Sequence, residues 1–324
     1  MSEKNNKPKI IVILGPTASG KSDVAVELAL RLRSGQAKKF GTKGAEVISA
    51  DSRQVYKGLD IGTGKITKKE MKGIKHHLLD VISPRKQFSA SDFVRITNDA
   101  IAQIVISGKI PIVCGGTGFY IDALLGEKQL AEAPPNEKLR AQLEKKSVEE
   151  LFKILKKLDP ERAKNIDAKN GRRLVRAIEI CEALGPNSAS RFAQATLGKK
   201  VPSKYDVIKI GIKTEEKELK NRINKRIEKW FKMGLLKEVR DLHQKGLSWK
   251  RMSELGLEYK IVANHLQKKI SKEEMIERMQ IETWQYAKRQ KQWFKDKNII
   301  WLPSKINLVE KKVKRFLEGG PTRI

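Results

Sequence analysis

The octet Gly15-Pro16-Thr17-Ala18-Ser19-Gly20-Lys21-Ser22 constrains this chain more than any other stretch. It sits between an apolar run, KIIVIL at 9–14, and an apolar-periodic segment over 21–33 carrying Val24, Val26, Leu28 and Leu32. Read in order, these are a buried strand, a Gly-rich turn and a helix, the context in which G-x-x-x-x-G-K-[ST] cradles phosphate. The glycines let the backbone fold tightly so that N–H groups converge on phosphate oxygens. The helix start and Lys21 add positive charge, and the Ser22 hydroxyl is placed to hold a magnesium ion. The pattern predicts a bound diphosphate or triphosphate, and by default a nucleotide- and ATP-binding kinase or NTPase.

The rest of the chain continues the alternation. EVISA at 46–50 ends at Asp51, and IPIVC at 110–114 ends at Gly115 and Gly116. A helix between them opens near Ser89, whose spacing to Asp92 resembles a capping box. Strands alternating with helices imply a mostly parallel α/β sheet covered by helices on both faces, of the doubly wound, P-loop NTPase-like kind. From about Pro134 to Ala189 the pattern turns to short amphipathic helices such as VEELFKILKKL with no convincing strand. The reading is a helical insertion domain over 131–197 within a core formed by 1–130 and 198–324. VIKIGI at 207–212 returns the chain to the sheet, basic helices fill 215–245 and 271–297, and NIIWL follows near 300. Residues 34–45 read as an elongated surface loop.

Charge points to the partner. The 324 residues include 68 Lys and Arg against 38 Asp and Glu, a formal net charge of +30. Such an excess favours a polyanion and binding strengthened by counterion release, while carrying no sequence specificity; a lysine-rich solubility surface is the bland alternative. Residues 217–251 hold 12 Lys/Arg against 4 Asp/Glu, and residues 137–176 hold 13 against 7, so the excess spans both core helices and insert. Cys114 and Cys181 are far apart and outside any CxxC or Cys/His cluster, which argues against structural zinc and against a disulfide framework. No signal-like segment and no apolar stretch of about 18 residues is present. A cytoplasmic monomer away from any membrane is the expectation.

Several segments together carry a resemblance. GPTASGKS is followed by ISADSRQVYKGLDIGTGK at 48–65, HHLLDVISP at 76–84, FSASDF at 88–93 and IVCGGTGFY at 112–120. Then come GRRLVRAIE at 171–179, NRINKRIEKWFKMGLLKEV at 221–239, ELGLEYK at 254–260 and KRQKQWF at 288–294. In this order the chain resembles the tRNA dimethylallyltransferase family over nearly its whole length. Only the phosphate loop is specific alone; the combination of ADSRQVYKGLDIGT with GGTGFY has no reason to recur in kinases. The resemblance implies transfer of a dimethylallyl group from dimethylallyl diphosphate to N6 of the adenine 3′-adjacent to the anticodon. The loop would hold the diphosphate leaving group, with Mg2+ assisting.

That chemistry needs a carboxylate near the reacting amine. Asp51, at the carboxyl end of a predicted parallel strand, matches the family's proposed general base, and a magnesium ligand is the alternative reading. Thr117 matches the threonine that hydrogen-bonds the departing oxygen, or belongs to a plain tight turn. Arg226, with Arg222 one turn earlier, matches a cation that neutralises charge on the diphosphate, or lies on a solvated helix face.

An adenine stacked in a loop must be extruded to expose N6, so a channel open at both ends suits the reaction, with Asp51, Ser52, Arg53 and Gln54 at the meeting point. Arg172, Arg173 and Arg176 match the tRNA-contacting segment, with an exposed basic helix as the alternative, above all for Arg176. Arg140 is a weaker phosphate contact. Met252, Gly256 and Leu257 match a segment near the anticodon loop, or mark a helix start. Trp284, Trp293 and Phe294 read as core rather than stacking platforms, and His76 and His77 as hydrogen-bonded core residues rather than ligands. Two departures, Gly64-Lys65-Ile66 for the common Ala-Lys-Pro and GLEY at 256–259 for GY, leave the proposed catalytic groups untouched. The rivals are an adenylate dimethylallyltransferase, a P-loop kinase and a non-catalytic RNA-binding P-loop protein.

Overall fold

The computed structural model describes residues 7–33, 41–196, 202–295 and 298–320. Most of the expected 34–45 loop, together with the last two residues of the 271–297 helix, lies outside them. The chain divides into two compact units, Met1–Leu124 with Ser203–Ile324, and Leu125–Pro202.

The first unit is built on a sheet whose strands are all parallel. Its order is β3 (His76–His77), β2 (Ala45–Ser49), β4 (Ile110–Gly115), β1 (Lys9–Leu14), β5 (Asp206–Lys213), β6 (Ile300–Pro303). β1 is central, with Ile11 opposite Ile112 on one side and Ile208 on the other. Its residues Ile10 to Ile13 are all 0 % exposed, so both faces are covered, which is why the strand reads as a continuous apolar run. Alternate residues explain the layers. Ile11, Ile13, Val47, Ile112 and Cys114 join a core with Val24, Leu28 and Leu32 of α1 (Lys21–Arg33) and Val309, Val313 and Phe316 of α15 (Ile306–Leu317). Their neighbours Ile10, Val12, Ile48 and Val113 point the other way, where α3 (Ala90–Ile106) packs over β2 and β4 with Phe93, Ala100, Ile101 and Ile104 buried.

Local signals set the helix ends. Ser89 Oγ accepts from Asp92 N at 3.1 Å and Asp92 Oδ2 accepts from Ser89 N at 3.0 Å, a reciprocal cap that starts α3. The basic stretch 215–245 is two helices, α10 (Glu216–Met233) and α11 (Leu235–Gln244), because Gly234 adopts φ 96° and ends the first in a left-handed cap. With α12 (Trp249–Leu255), α13 (Leu257–Leu266) and α14 (Lys272–Trp293) they form a second core around Trp230, Tyr259, Met252, Met275 and Met279. The short strand at His76 and His77 was not foreseen. His77 Nε2 lies 2.6 Å from Glu46 Oε2, Lys109 Nζ donates to Glu46 Oε1 at 2.6 Å, and His76 Nδ1 donates to the Ile74 carbonyl at 2.9 Å. These bonds match the reading of the pair as hydrogen-bonded rather than metal-ligating.

Among its described residues the unit Leu125–Pro202 holds helices and no strand, from α5 (Glu137–Leu143) through α6 (Val148–Leu158), α7 (Pro160–Asn165) and α8 (Gly171–Leu184) to α9 (Ser188–Thr196). It is wider than the 131–197 insert because the core chain ends with a helix, Gly118–Leu124, well before the polarity change near Pro134. Leu151, Leu155, Leu174 and Ile178 make its interior. One ionic group is buried among them. Glu179, 1 % exposed, accepts from Arg140 Nε and Nη2 at 2.8 and 2.9 Å, Arg176 Nη1 at 2.6 Å and Asn136 N at 2.7 Å. Burial raises this carboxyl, but the bonds from Arg140, Asn136 and Arg176 outweigh it and hold the group below the ordinary carboxylate range.

Glu179→Ala strands two part-buried guanidinium groups and should destabilise this unit by about 3–5 kcal/mol in urea denaturation of the full chain. Because the folded value is depressed, the stabilisation is complete above about pH 4.3 and lost as pH falls through the lower folded value. The difference between wild type and Glu179→Ala should therefore shrink in acid; a difference that stays constant to pH 3 contradicts the assignment.

Candidate active site

The carboxyl ends of β1, β2 and β4 open on one side of the sheet, where the strand order reverses about β1, the place at which open α/β sheets receive ligands. A cavity of about 990 Å³ lies there, within the first unit. Thr17, Ala18, Gly20, Lys21 and Ser22 line it from the loop after β1. Gly15, Pro16 and Ser19 stand behind them and serve through backbone shape: the Ser19 side chain is 0 % exposed, and the Pro16 carbonyl accepts from Lys21 Nζ at 3.1 Å.

Asp51 follows β2. Its Oδ1 accepts from Arg53 N at 2.8 Å and Gln54 N at 3.3 Å, a local turn that fixes the side chain and commits one of its two oxygens. Ser52, Arg53 and Gln54 line the cavity with it. Thr117 comes from the turn after β4, and its Oγ1 accepts from Ser52 N at 3.1 Å, so the two turns are hydrogen-bonded together.

Arg226 enters from α10. It donates through Nη1 to Thr17 Oγ1 and through Nη2 to the Gly64 carbonyl, both at 3.2 Å, and lies 5.2 Å from the Trp230 ring. The solvated-face alternative is thereby excluded for Arg226. Arg222 donates to the Ser19 carbonyl at 3.3 Å and to Glu218 at 2.5 Å. Burial pulls the Lys21 ammonium below the usual lysine range, and pulls Arg226 down against the opposing charges of Glu258 and Asp51. Both cations are desolvated without a full counter-charge, a condition that an anion between them relieves.

Gly64 corrects the view that the departures spare the catalytic groups. Its carbonyl receives Arg226, and with φ at 58° a Cβ there would collide with the guanidinium. The GLEY departure also reaches the cavity, which Gly256, Leu257 and Glu258 line. Met252 does not: it is 0 % exposed in the helical core, so its side chain cannot touch RNA. Arg140 and Arg176 are likewise corrected. Both guanidinium groups are engaged by Glu179, which removes the exposed-helix reading of Arg176 and leaves Arg172 and Arg173 as the exposed arginines of that segment.

Sequence reasoning missed the contribution of α14. Gln290, 7 % exposed, accepts from Thr17 N at 2.8 Å through Oε1 and donates to the Gly116 carbonyl at 3.0 Å through Nε2. One turn on, Trp293 is neither core nor free: it is 41 % exposed, lines the cavity and donates Nε1 to Asp122 Oδ2 at 2.9 Å. A side chain at Gly116 or Gly118 would occupy the space of Gln290 or Trp293 respectively. Phe294, 1 % exposed, is core, as expected, and Trp284 packs against the helical core. Glu238 was also missed; it accepts from the backbone N–H of Asp60, Ile61 and Gly62 at 2.8–3.2 Å and so shapes the loop before Gly64. The KRQKQWF segment was part of the resemblance, but only the fold shows which face of it meets the phosphate loop.

A family model described as IPP transferase matches residues 54–297. The chain belongs to this family. Among curated IPP transferase relatives, the tRNA dimethylallyltransferase of Oceanobacillus iheyensis is 37 % identical over 96 % of each chain. tRNA dimethylallyltransferase 2 of Treponema denticola is 40 % identical over 96 % of this chain and 98 % of its own. The crystal structure of the full-length tRNA isopentenylpyrophosphate transferase from Bacillus halodurans superposes with a TM-score of 0.70 at 34 % identity, covering 97 % of this chain and 98 % of that one. A eukaryotic dimethylallyltransferase acting on tRNA gives a TM-score of 0.78 at 28 % identity, over 97 % of this chain and 80 % of that one.

Gln290→Leu keeps the volume roughly but removes both bonds, leaving a buried N–H and carbonyl unpaired. The expected result is a rise in the KM for the phosphate-bearing substrate and a fall of about tenfold or more in kcat/KM, from a loop that no longer holds its shape. Unchanged kinetics in a folded Gln290→Leu protein would show that the bridge does not position the loop.

Proposed function

We propose that this protein transfers a dimethylallyl group from dimethylallyl diphosphate to N6 of the adenine 3′-adjacent to the anticodon in tRNA, releasing diphosphate. The observation that carries this reading is the convergence of desolvated cations, Lys21 and Arg226, with a strand-end carboxylate, Asp51, on one cavity. A kinase site would need the same loop, but the family and the named activities of the relatives favour prenyl transfer. The unit with exposed Arg172 and Arg173 and a strongly basic composition supports backbone contact with tRNA.

The diphosphate lies against the loop amides, Lys21 and Arg226. The N6 nitrogen attacks C1 of the dimethylallyl group, the C1–O bond breaks, and its electron pair leaves with diphosphate. Asp51 takes one amine proton, so the product is a neutral secondary amine. Thr117 and Arg226 meet charge building on the leaving oxygen. Among the described residues no cluster of three or more His, Cys, Asp or Glu is arranged to hold a metal ion. Ser22, exposed on the cavity wall, would be the residue to hold a Mg2+ ion there. Such an ion supplies charge neutralisation on the leaving group. Among the described residues no helix is long and apolar enough to cross a membrane, which accords with action on cytoplasmic tRNA.

Transfer of labelled dimethylallyl to an unmodified anticodon stem-loop, without ATP, tests the reading. Asp51→Ala should lower kcat by about 10²–10⁴-fold while the protein still binds diphosphate. Labelling of AMP rather than RNA would move the assignment to a nucleotide-prenylating enzyme, and an absolute requirement for ATP would move it to a kinase.

A further inference from the structure

One group in the cavity has no part in the reaction as described. Glu258, in the first turn of α13, lines the same cavity as Asp51. Among the described residues it forms no salt bridge, although the chain carries a net charge of +30 and cations are plentiful, and the hydrogen bond its carboxyl accepts comes from its own backbone N–H. The groups that face it are Arg226 from α10, Arg53 and Asp51 from the turn after β2, Tyr286 from α14 and, next to it on its own helix, Tyr259. A cavity-lining carboxyl that accepts only from its own backbone keeps lone pairs that a ligand's donor can meet. The diphosphate cannot supply it, being an acceptor of the same charge. The remaining ligand is the acceptor base.

We propose that Glu258 is a specificity-determining residue that accepts a hydrogen bond from the N–H of the acceptor amine that is retained in the product, while Asp51 accepts from the N–H that is lost. The proposal rests on the adenine-N6 reading above. An aryl amine is planar, with both N–H bonds in the ring plane. Two in-plane acceptors hold it and leave its perpendicular face to C1. They also reject a base with a carbonyl at that position, whose oxygen would meet two acceptors and no donor. No bond beyond those of the transfer itself is made or broken.

Binding without the prenyl donor tests this, because nothing then reacts. Two anticodon stem-loops are compared, one with adenosine and one with purine riboside, which lacks the amine, at the acceptor position. Glu258→Ala should cut the preference for adenosine by about tenfold, as expected for a lost bond to a charged acceptor, and leave affinity for the purine stem-loop within about twofold. Glu258→Gln keeps shape and a weaker neutral acceptor, and should cut the preference less. Burial pushes the Glu258 carboxyl up to about 7, against the pull of its own backbone N–H, Arg226 and Arg53. The wild-type preference should therefore rise with pH through that region as the stronger, ionised acceptor forms, and Glu258→Gln should lack this rise. Equal weakening of both stem-loops, or an undiminished preference in both variants, overturns the assignment while sparing the adenine reading. A wild type that does not distinguish the two stem-loops overturns both.

Discussion

The buried amide of Gln290 joins two loops that leave the sheet side by side, after the paired residues Leu14 and Gly115. The loop after β1 has the form proposed to cradle a phosphate, in which the amides are not all satisfied within the loop. The turn after β4 is so glycine-rich that little but its neighbours defines it. By accepting from Thr17 and donating to Gly116, one side chain on α14 satisfies a group in each and sets their separation. Thr117 then bonds to Ser52, which brings in the turn carrying Asp51. Three strand ends from distant parts of the chain are thus linked by hydrogen bonds whose loss would leave buried polar groups bare.

Electrostatics follows from that scaffold. Lys21 and Arg226 are withdrawn from water by the walls that the loops create, and their acidities shift as desolvation dictates. Arg226 is held from three sides, by Thr17, the Gly64 carbonyl and the Trp230 ring, none of which carries charge. The site is therefore preorganised for an anion that the protein itself does not provide. This is the arrangement that stabilises a developing leaving-group charge without reorganisation during the reaction.

Much of this was legible in the sequence, for reasons that can be named. The run KIIVIL followed by a Gly-rich octet leaves few alternatives to a central parallel strand feeding a phosphate loop, whereas Asp51, at the end of an apolar run, and Thr117, in the turn after another, stood out through the family resemblance. Gln290 and Glu238 were not readable. A polar residue inside a basic, amphipathic helix looks the same whether its face meets solvent or two loops far away in the chain. Met252 failed in the opposite way: its segment does reach the cavity, but Met252 lies inside α12 with its side chain in the core, while Gly256, at the break between α12 and α13, and Leu257 line the opening. Matching a segment locates a neighbourhood, whereas where each helix ends decides which members are presented.

The same distinction governs the arginines of the helical unit. Arg172, Arg173 and Arg176 are equivalent as sequence, and spacing alone would put two of them on one face. A single buried carboxylate separates them. Glu179 is three residues beyond Arg176, within reach on the same helix face, and it also draws in Arg140 from α5. Desolvation makes that arrangement worth keeping only if both guanidinium groups stay in place, so neither is available to follow a phosphate without uncovering the carboxylate. The positive charge that this unit can offer a polyanion is therefore carried by Arg172, Arg173, Arg191 and the surrounding exposed lysines. The two arginines with the best hydrogen bonds are the ones least suited to bind RNA.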